Sequence, residues 1–391
     1  MFKKLCSILL TILVLLILVG VGVYFFYPSK EKNKDKNMET NSDNSLEVAE
    51  IKNSIFKTYY KKAVDVVSKM TLEEKVGQLF LVRYDTTNVE LFKDMYPGGY
   101  ILFAKDFENH TKSSLQKELE QAQKMNKYPL ILGVDEEGGY VTRVSRFPAY
   151  RSEKFASPKY YYETGGYELL EKMEKEKASL LTSLGLNLNL APVVDISTNE
   201  NDFIYSRSFG KNAKDTAEFA KKMVTYANDG HINSCLKHFP GYGNNKDTHT
   251  GIAIDERSYE EFENQDFLPF KAGIEAGVPS ILVSHNIVKS MDSDYPSSLS
   301  EKVISKLRNN LHFTGIIMTD DLAMDAVKSY VENGEAATLA IQAGNDMIIT
   351  SDFKAMYEEV LNSVKNNKIE EDTINKAVLR IIAWKYYSNL F

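Results

Sequence analysis

The sequence predicts an α/β chain folded as one (β/α)8 TIM-type barrel, preceded by an N-terminal transmembrane helix and a disordered linker. Three observations carry this. Eight apolar runs of strand length recur between residues 76 and 350 without the alternation of a half-exposed strand, so each is buried on both faces. Longer stretches of helical periodicity separate them. Polar side chains gather just past the ends of several runs, which is where a parallel barrel builds its site.

The first element is the odd one. Residues 5–27 carry no charge and follow Lys3 and Lys4. A helix of that length reaches about 34 Å, enough for a hydrocarbon core of about 30 Å. The run is longer than the apolar region of a cleaved signal, ends without a small-residue site, and closes on Tyr24, Phe25, Phe26 and Tyr27, which suit an interfacial belt. Residues 1–27 therefore read as an uncleaved anchor, although Lys30, Lys32, Lys34 and Lys36 crowd its far flank. A single span after so short a tail favours export of the chain beyond it. Residues 28–54 are dominated by Lys, Glu, Asn, Asp and Ser and read as a polar linker. Residues 55–391 are the working body.

Within the body the expected strands are 76–82, 99–103, 130–134, 187–195, 234–238, 280–284, 315–319 and 346–350. Amphipathic helices are expected at 112–125, 168–184, 213–228, 259–276 and 334–343. No G-x-G-x-x-G follows a first strand, which removes support for an open dinucleotide-binding sheet. The 391 residues, 43% hydrophobic and including 20 Phe and 23 Tyr, exclude disorder for the body. A net charge of −7 gives no electrostatic footprint for nucleic acid. Two cysteines, Cys6 and Cys235, exclude a disulfide scaffold and a thiolate metal cluster.

The chemistry sits at the strand ends. Gly315 to Thr319 leads into Asp320-Asp321, adjacent carboxylates whose side chains diverge, so at least one points into a barrel mouth. One reading is a helix N-cap; the other is a nucleophile or a stabiliser of a cationic transition state. A second strand delivers Lys237 and His238 into a loop broken by Pro240, Gly241 and Gly243. On that loop Asp247 and His249 lie two apart, close enough for the carboxylate to steady the imidazole as a proton donor. The third group is Asp135-Glu136-Glu137 before Gly138-Gly139, carboxylates at a tight turn that suit sugar hydroxyls or a divalent metal. Arg207 adds a cation if its loop lies over the mouth.

Six segments now stand in order. They are Met70 to Leu79, the Asp-x-Glu-Gly-Gly-x-Val-x-Arg run ending at Arg143, Ala191-Pro192-Val193-Val194-Asp195, Lys237 to Gly243, Asp247-Thr248-His249, and Thr319 to Met324. The series resembles glycoside hydrolase family 3, in particular its bacterial single-barrel β-N-acetylglucosaminidases, from about residue 66 to beyond 325. The resemblance implies Asp320 as catalytic nucleophile and His249 with Asp247 as an acid/base dyad. It also implies Asp135, Arg143, Arg207, Lys237 and His238 as substrate-binding positions. Tyr242 and Tyr140 depart from the pattern, where His and Arg are common.

The expectation is a retaining β-N-acetylhexosaminidase acting on carbohydrate, namely N-acetylglucosamine-containing cell-wall fragments. No cofactor, metal or nucleic-acid partner is called for. A monomeric barrel is tethered to the cell membrane by its N-terminal helix, with the catalytic part extracellular. Four alternatives stay open: a β-glucosidase or a glycoside phosphorylase of the same fold, a metal-dependent barrel hydrolase drawing on His238, His249, His285, Asp135 and Asp320, and a non-catalytic wall-binding protein.

Overall fold

A computed structural model describes residues 54–245, 253–324, 327, 330, 331 and 334–391. The anchor, nearly all of the linker, and the Asp247 and His249 pair lie outside the described residues. Among the described residues no helix is long and apolar enough to cross a membrane.

Eight parallel strands form the barrel: β1 (Phe80–Arg83), β2 (Gly99–Leu102), β3 (Ile131–Val134), β4 (Leu188–Asn189), β5 (Asn233–Phe239), β7 (Ser280–Val283), β9 (Ile316–Thr319) and β10 (Ile348–Thr350). Their order is β10-β1-β2-β3-β4-β5-β7-β9, every paired neighbour parallel. The ring is completed between β9 and β10 by a Met318–Met347 bridge, with the Met347 N–H donating to Ile317 O at 3.1 Å and Thr319 N–H to Met347 O at 3.1 Å. Two short strands outside the barrel, β6 (Ile254–Asp255) and β8 (Ile287–Val288), pair in parallel beside it. The unalternating apolar runs are explained by this closure. Side chains alternate inward and outward, but both sides are filled, inside by other strands' side chains and outside by helices. Ile101, Leu282 and Ile349 point inward and floor the cavity described below.

Several of the helices packed around these strands carry local side-chain caps. Thr71 and Glu74 form a reciprocal capping box ahead of α2 (Leu72–Gln78), which follows α1 (Tyr60–Val67). Here the expectation needs correction: Val76 to Gln78 finish this helix, so the first strand starts at Phe80. Capping fixed the helix start, and the run from Val76 is apolar because the helix end is buried. The expected strand 187–195 is also shorter, because Pro192 has no N–H to give a ladder. Pairing with β5 resumes irregularly at Val193–Lys237.

Three further helices precede β4: α3 (Thr86–Phe92), α4 (Lys112–Met125) and α5 (Pro158–Ser183), the last broken in its backbone at Gly165–Gly166. After them come α6 (Ala213–Asp229), α7 (Phe267–Glu275), α8 (Glu301–Ser305), α9 (Ala336–Ala343), α10 (Phe353–Lys365) and α11 (Glu371–Tyr387). The single helix expected at 259–276 is thus divided, with a π turn at Phe262–Asp266 before α7.

The last helix closes the end of the barrel opposite the strand C-termini. Trp384 is fully buried and its Nε1–H donates to Asn233 Oδ1, at the start of β5, at 2.9 Å. Lys385, also fully buried, donates to Gln78 Oε1 at 2.6 Å. Phe56 and Tyr59, where the described chain begins, pack their rings on Tyr387.

Candidate active site

At the other end, where the strands finish, lies a cavity of about 610 Å³. Its polar wall is assembled from the C-terminal ends of β3, β5 and β9 and from the loop after β4. Asp135, Glu137, Arg207, Lys237, His238 and Asp320 all line it. Arg143 lines it as well, its guanidinium 5.8 Å from the Phe103 ring centroid.

Three consecutive carboxylates follow β3, and the fold gives each different work. Asp135 Oδ1 meets Lys237 Nζ at 2.6 Å. Glu136 is fully buried and turned away from the cavity, accepting the N–H groups of Arg143 at 2.8 Å, Val144 at 2.7 Å and Ser145 at 3.3 Å, together with the Ser145 hydroxyl. It is the strut that folds the loop back on itself and fixes the backbone of Arg143. Glu137 accepts from Arg207 in a fork at 3.0 and 2.7 Å and from Lys237 at 2.6 Å. Of the three, Asp135 and Glu137 line the cavity and Glu136 does not.

Electrostatics keep this cluster charged. Burial would push the Glu137 carboxyl up, but Lys237 and Arg207 hold it at about 2, well below the ordinary 4.5. Burial would likewise lower Lys237, and Asp135 with Glu137 outweigh it and raise the ammonium above its ordinary value. Cys235, two residues before Lys237 on the same strand, goes the other way: burial lifts its thiol to about 12, which leaves it inert as a nucleophile.

His238 is oriented from two sides. Its Nδ1 is 2.7 Å from Asp195 Oδ2, and its Nε2 is 3.3 Å from Arg207 Nη2. A guanidinium only donates, so Nε2 is the acceptor and Nδ1 carries the proton, given to Asp195. Asp195 is buried and also accepts the backbone N–H of His238 at 3.1 Å and of Tyr242 at 2.8 Å. One carboxylate thus fixes both the ring and the loop after it. Asp195 is not among the substrate-binding positions that the resemblance implies, and Glu137 enters the expectation only through the Asp135-Glu136-Glu137 run. The signal for Asp195 was present, since it closes the Ala-Pro-Val-Val-Asp run at a strand end.

The loop after β5 is braced from beneath. Arg257 meets Asp255 at 2.8 Å and Asp266 at 2.8 Å, and Asn245 Nδ2 donates to Asp255 Oδ2 at 2.7 Å. The two flanks of the segment carrying Asp247 and His249 are therefore tied to one carboxylate. Gly241 has φ of 129°, and a Cβ there would come within 2.2 Å of Asp266 Oδ1, so the loop needs glycine to seat on that side chain. Burial raises Asp266 to about 6 in spite of Arg257.

The Asp320-Asp321 pair also divides. Asp320 donates its N–H to Val283 O at 3.0 Å, which holds it against β7, and its Oδ1 accepts from Asp321 N–H at 2.9 Å. Asp321 ties the turn that follows, accepting from Ala323 N–H at 2.8 Å and from Ser351 N–H at 3.2 Å. His285 is buried and bonded to Ser298 Oγ at 2.8 Å and to Asp321 O at 3.1 Å, which spends it on structure. Among the described residues no group of three His, Cys, Asp or Glu is placed to hold a metal ion.

Residues 71–384 match the family model described as the Glycosyl hydrolase family 3 N terminal domain. The chain belongs to glycoside hydrolase family 3. It is similar to a β-hexosaminidase of Nitrosomonas eutropha, 30% identical over 287 residues, covering 72% of this chain and 81% of the relative. It is also similar to one of Hydrogenovibrio crunogenus, 29% identical, covering 70% and 77%. Among solved structures, a family 3 β-N-acetylglucosaminidase from Paenibacillus sp. str. FPU-7 superposes with a TM-score of 0.76 at 27% identity, covering 82% of this chain; the match spans 63% of that longer chain.

The cavity brings together all six expected site residues that fall within the described part: Asp135, Arg143, Arg207, Lys237, His238 and Asp320.

Proposed function

We propose that this glycoside hydrolase is a retaining β-N-acetylhexosaminidase that removes terminal β-linked N-acetylglucosamine. The observation that carries the reading is the placement of Asp320 in one cavity with the charged cluster of Asp135, Glu137, Arg207, Lys237 and His238. The names of the relatives support the sugar class. In the proposed reaction an Asp320 oxygen attacks the anomeric carbon as the bond to the leaving oxygen breaks. His249, steadied by Asp247, gives that oxygen its proton. Water then attacks the glycosyl-Asp320 ester, His249 takes the water's proton, and the sugar leaves with net retention. The paired ions of the cluster supply donors and acceptors already oriented before the sugar arrives.

The sequence pattern of residues 1–27 supports an anchor with the barrel, residues 55–391, outside the cell membrane on its polar linker. Such a tethered enzyme would meet peptidoglycan fragments as substrate. The test of the chemistry is Asp320→Ala assayed with aryl β-glycosides bearing or lacking the 2-acetamido group. Wild type should prefer the acetamido sugar, and the variant should keep the wild-type melting temperature while losing turnover. Near-normal activity in the variant refutes the nucleophile.

A further inference from the structure

The charged cluster occupies the inner part of the cavity, and its outer wall is different in kind. Two aromatic rings stand there, Tyr140 at 80% exposure and Phe203 at 39%, and both line the same cavity. Tyr140 is rigidly mounted. It follows Gly138 and Gly139, with φ of 96° and 67°, and the turn is closed by a Gly138–Val141 bridge and by Gly139 N–H donating to Phe155 O at 2.9 Å. A Cβ at Gly138 would fall 2.4 Å from Ala156 O, so the turn is pressed onto the neighbouring segment and cannot swing freely.

Phe203 is backed by Tyr242, ring centroids 5.7 Å apart, and Tyr242 in turn meets His238 at 5.6 Å. Its loop is laced by Asp202, which accepts from Ser197 Oγ at 2.7 Å and from Asn199 Nδ2 at 3.3 Å. An aromatic line therefore runs from the polar cluster to the rim. Tyr242 fills the place between them with an apolar ring, and so supports Phe203 from behind.

A pyranose has a polar rim of hydroxyls and two faces of C–H bonds. The inner cluster matches the rim. The outer rings match a face, and the cavity is floored by Ile101, Leu282 and Ile349, so a second ring has to lie outward. We infer that Tyr140 and Phe203 form a leaving-group subsite that stacks on the C–H face of the sugar next to the scissile bond. They would set a preference for ring-bearing leaving groups over small ones. The inference rests on the proposed hexosaminidase activity and adds to it the class of leaving group.

The experiment compares two substrates of the full-length protein: a β-1,4-linked N-acetylglucosamine disaccharide, whose leaving group is a ring, and N-acetylglucosaminyl β-fluoride, whose leaving group is one atom. Tyr140→Ala is the primary variant, because a ring that is 80% exposed contributes little to folding. The ratio of disaccharide KM to fluoride KM should rise about two- to tenfold, the worth of one aromatic contact. Phe203→Ala should act in the same direction, and Tyr140→Phe, which keeps the ring, should restore the wild-type ratio. An unchanged ratio in both alanine variants overturns the subsite while leaving the hexosaminidase reading intact. Failure of the wild type to release fluoride overturns that reading and the subsite with it.

Discussion

Glu137→Gln probes the centre of the cluster. The carboxylate is fully enclosed and shared between Arg207 and Lys237. Its shift from the ordinary 4.5 to about 2, the net of burial and the two cations, corresponds to about 3 kcal/mol in favour of the charged form. An amide keeps one acceptor for Arg207 but no charge, so two buried cations would face each other with only Asp135 between them. Removing one partner of a buried ion pair costs about 3–5 kcal/mol. At about 2 °C per kcal/mol for a chain of this size, the melting temperature should fall by about 6–10 °C at pH 7.

The pH dependence has a defined sign. Glu137 titrates lower in the fold than in the unfolded chain, so its contribution is complete above pH 4.5 and is lost as the pH falls toward 2. The wild type should therefore lose this part of its stability across that window, and the variant should not. Thermal melts from pH 2.5 to 7, with KM for an aryl N-acetylglucosaminide at neutral pH, decide it. A variant melting within 2 °C of wild type by the ~2 °C scale above, with the same acid limb and the same KM, refutes the assignment of Glu137 as the keystone.

Other outcomes follow from the proposed reaction and from the geometry of the described residues. His249→Ala should slow substrates with poor leaving groups far more than activated aryl glycosides, since the latter need little protonation; equal losses on both would count against the acid role. Asp195→Asn should raise KM and broaden the pH profile, because an amide can present either end to Nδ1 and no longer fixes the His238 tautomer; an unaltered profile removes the positioning role. Lys385, buried with its ammonium lowered from 10.5 to about 7, favours the neutral form in the fold. Wild-type stability should thus decline as pH falls from 10.5 to 7, by about 5 kcal/mol in all. Lys385→Met should lack that decline and melt higher than wild type at pH 7; parallel melting curves for the two across this range would show that Lys385 carries no such cost.

The strand pattern was legible because barrel strands are buried on both sides and so are written as local apolar runs. All eight runs became strands, and the polar residues after them surround one mouth. Errors arose where local cues overlap. A buried helix end and a strand start look alike from Val76 to Leu79, and the Thr71–Glu74 box that separates them is a matter of caps rather than hydropathy. The expected strand through Asp195 ran past Pro192, where the missing N–H interrupts the ladder.

What the sequence by itself determined was the barrel, the order of its strands and the positions where chemistry gathers, because periodicity and strand-end placement are properties of neighbours in the chain. Only the tertiary structure decided how the charges are shared. Asp135 and Glu137 reach Lys237 across 102 and 100 positions, and Asp195 reaches His238 across 43. Three consecutive carboxylates carry the same letters of chemistry, yet one is a strut, one clamps Arg207 and one stands in the cavity beside Lys237. Parallel pairing of β3, β4 and β5 brings their ends within hydrogen-bonding reach, and partner choice among charges depends on that distance and on the burial that comes with it.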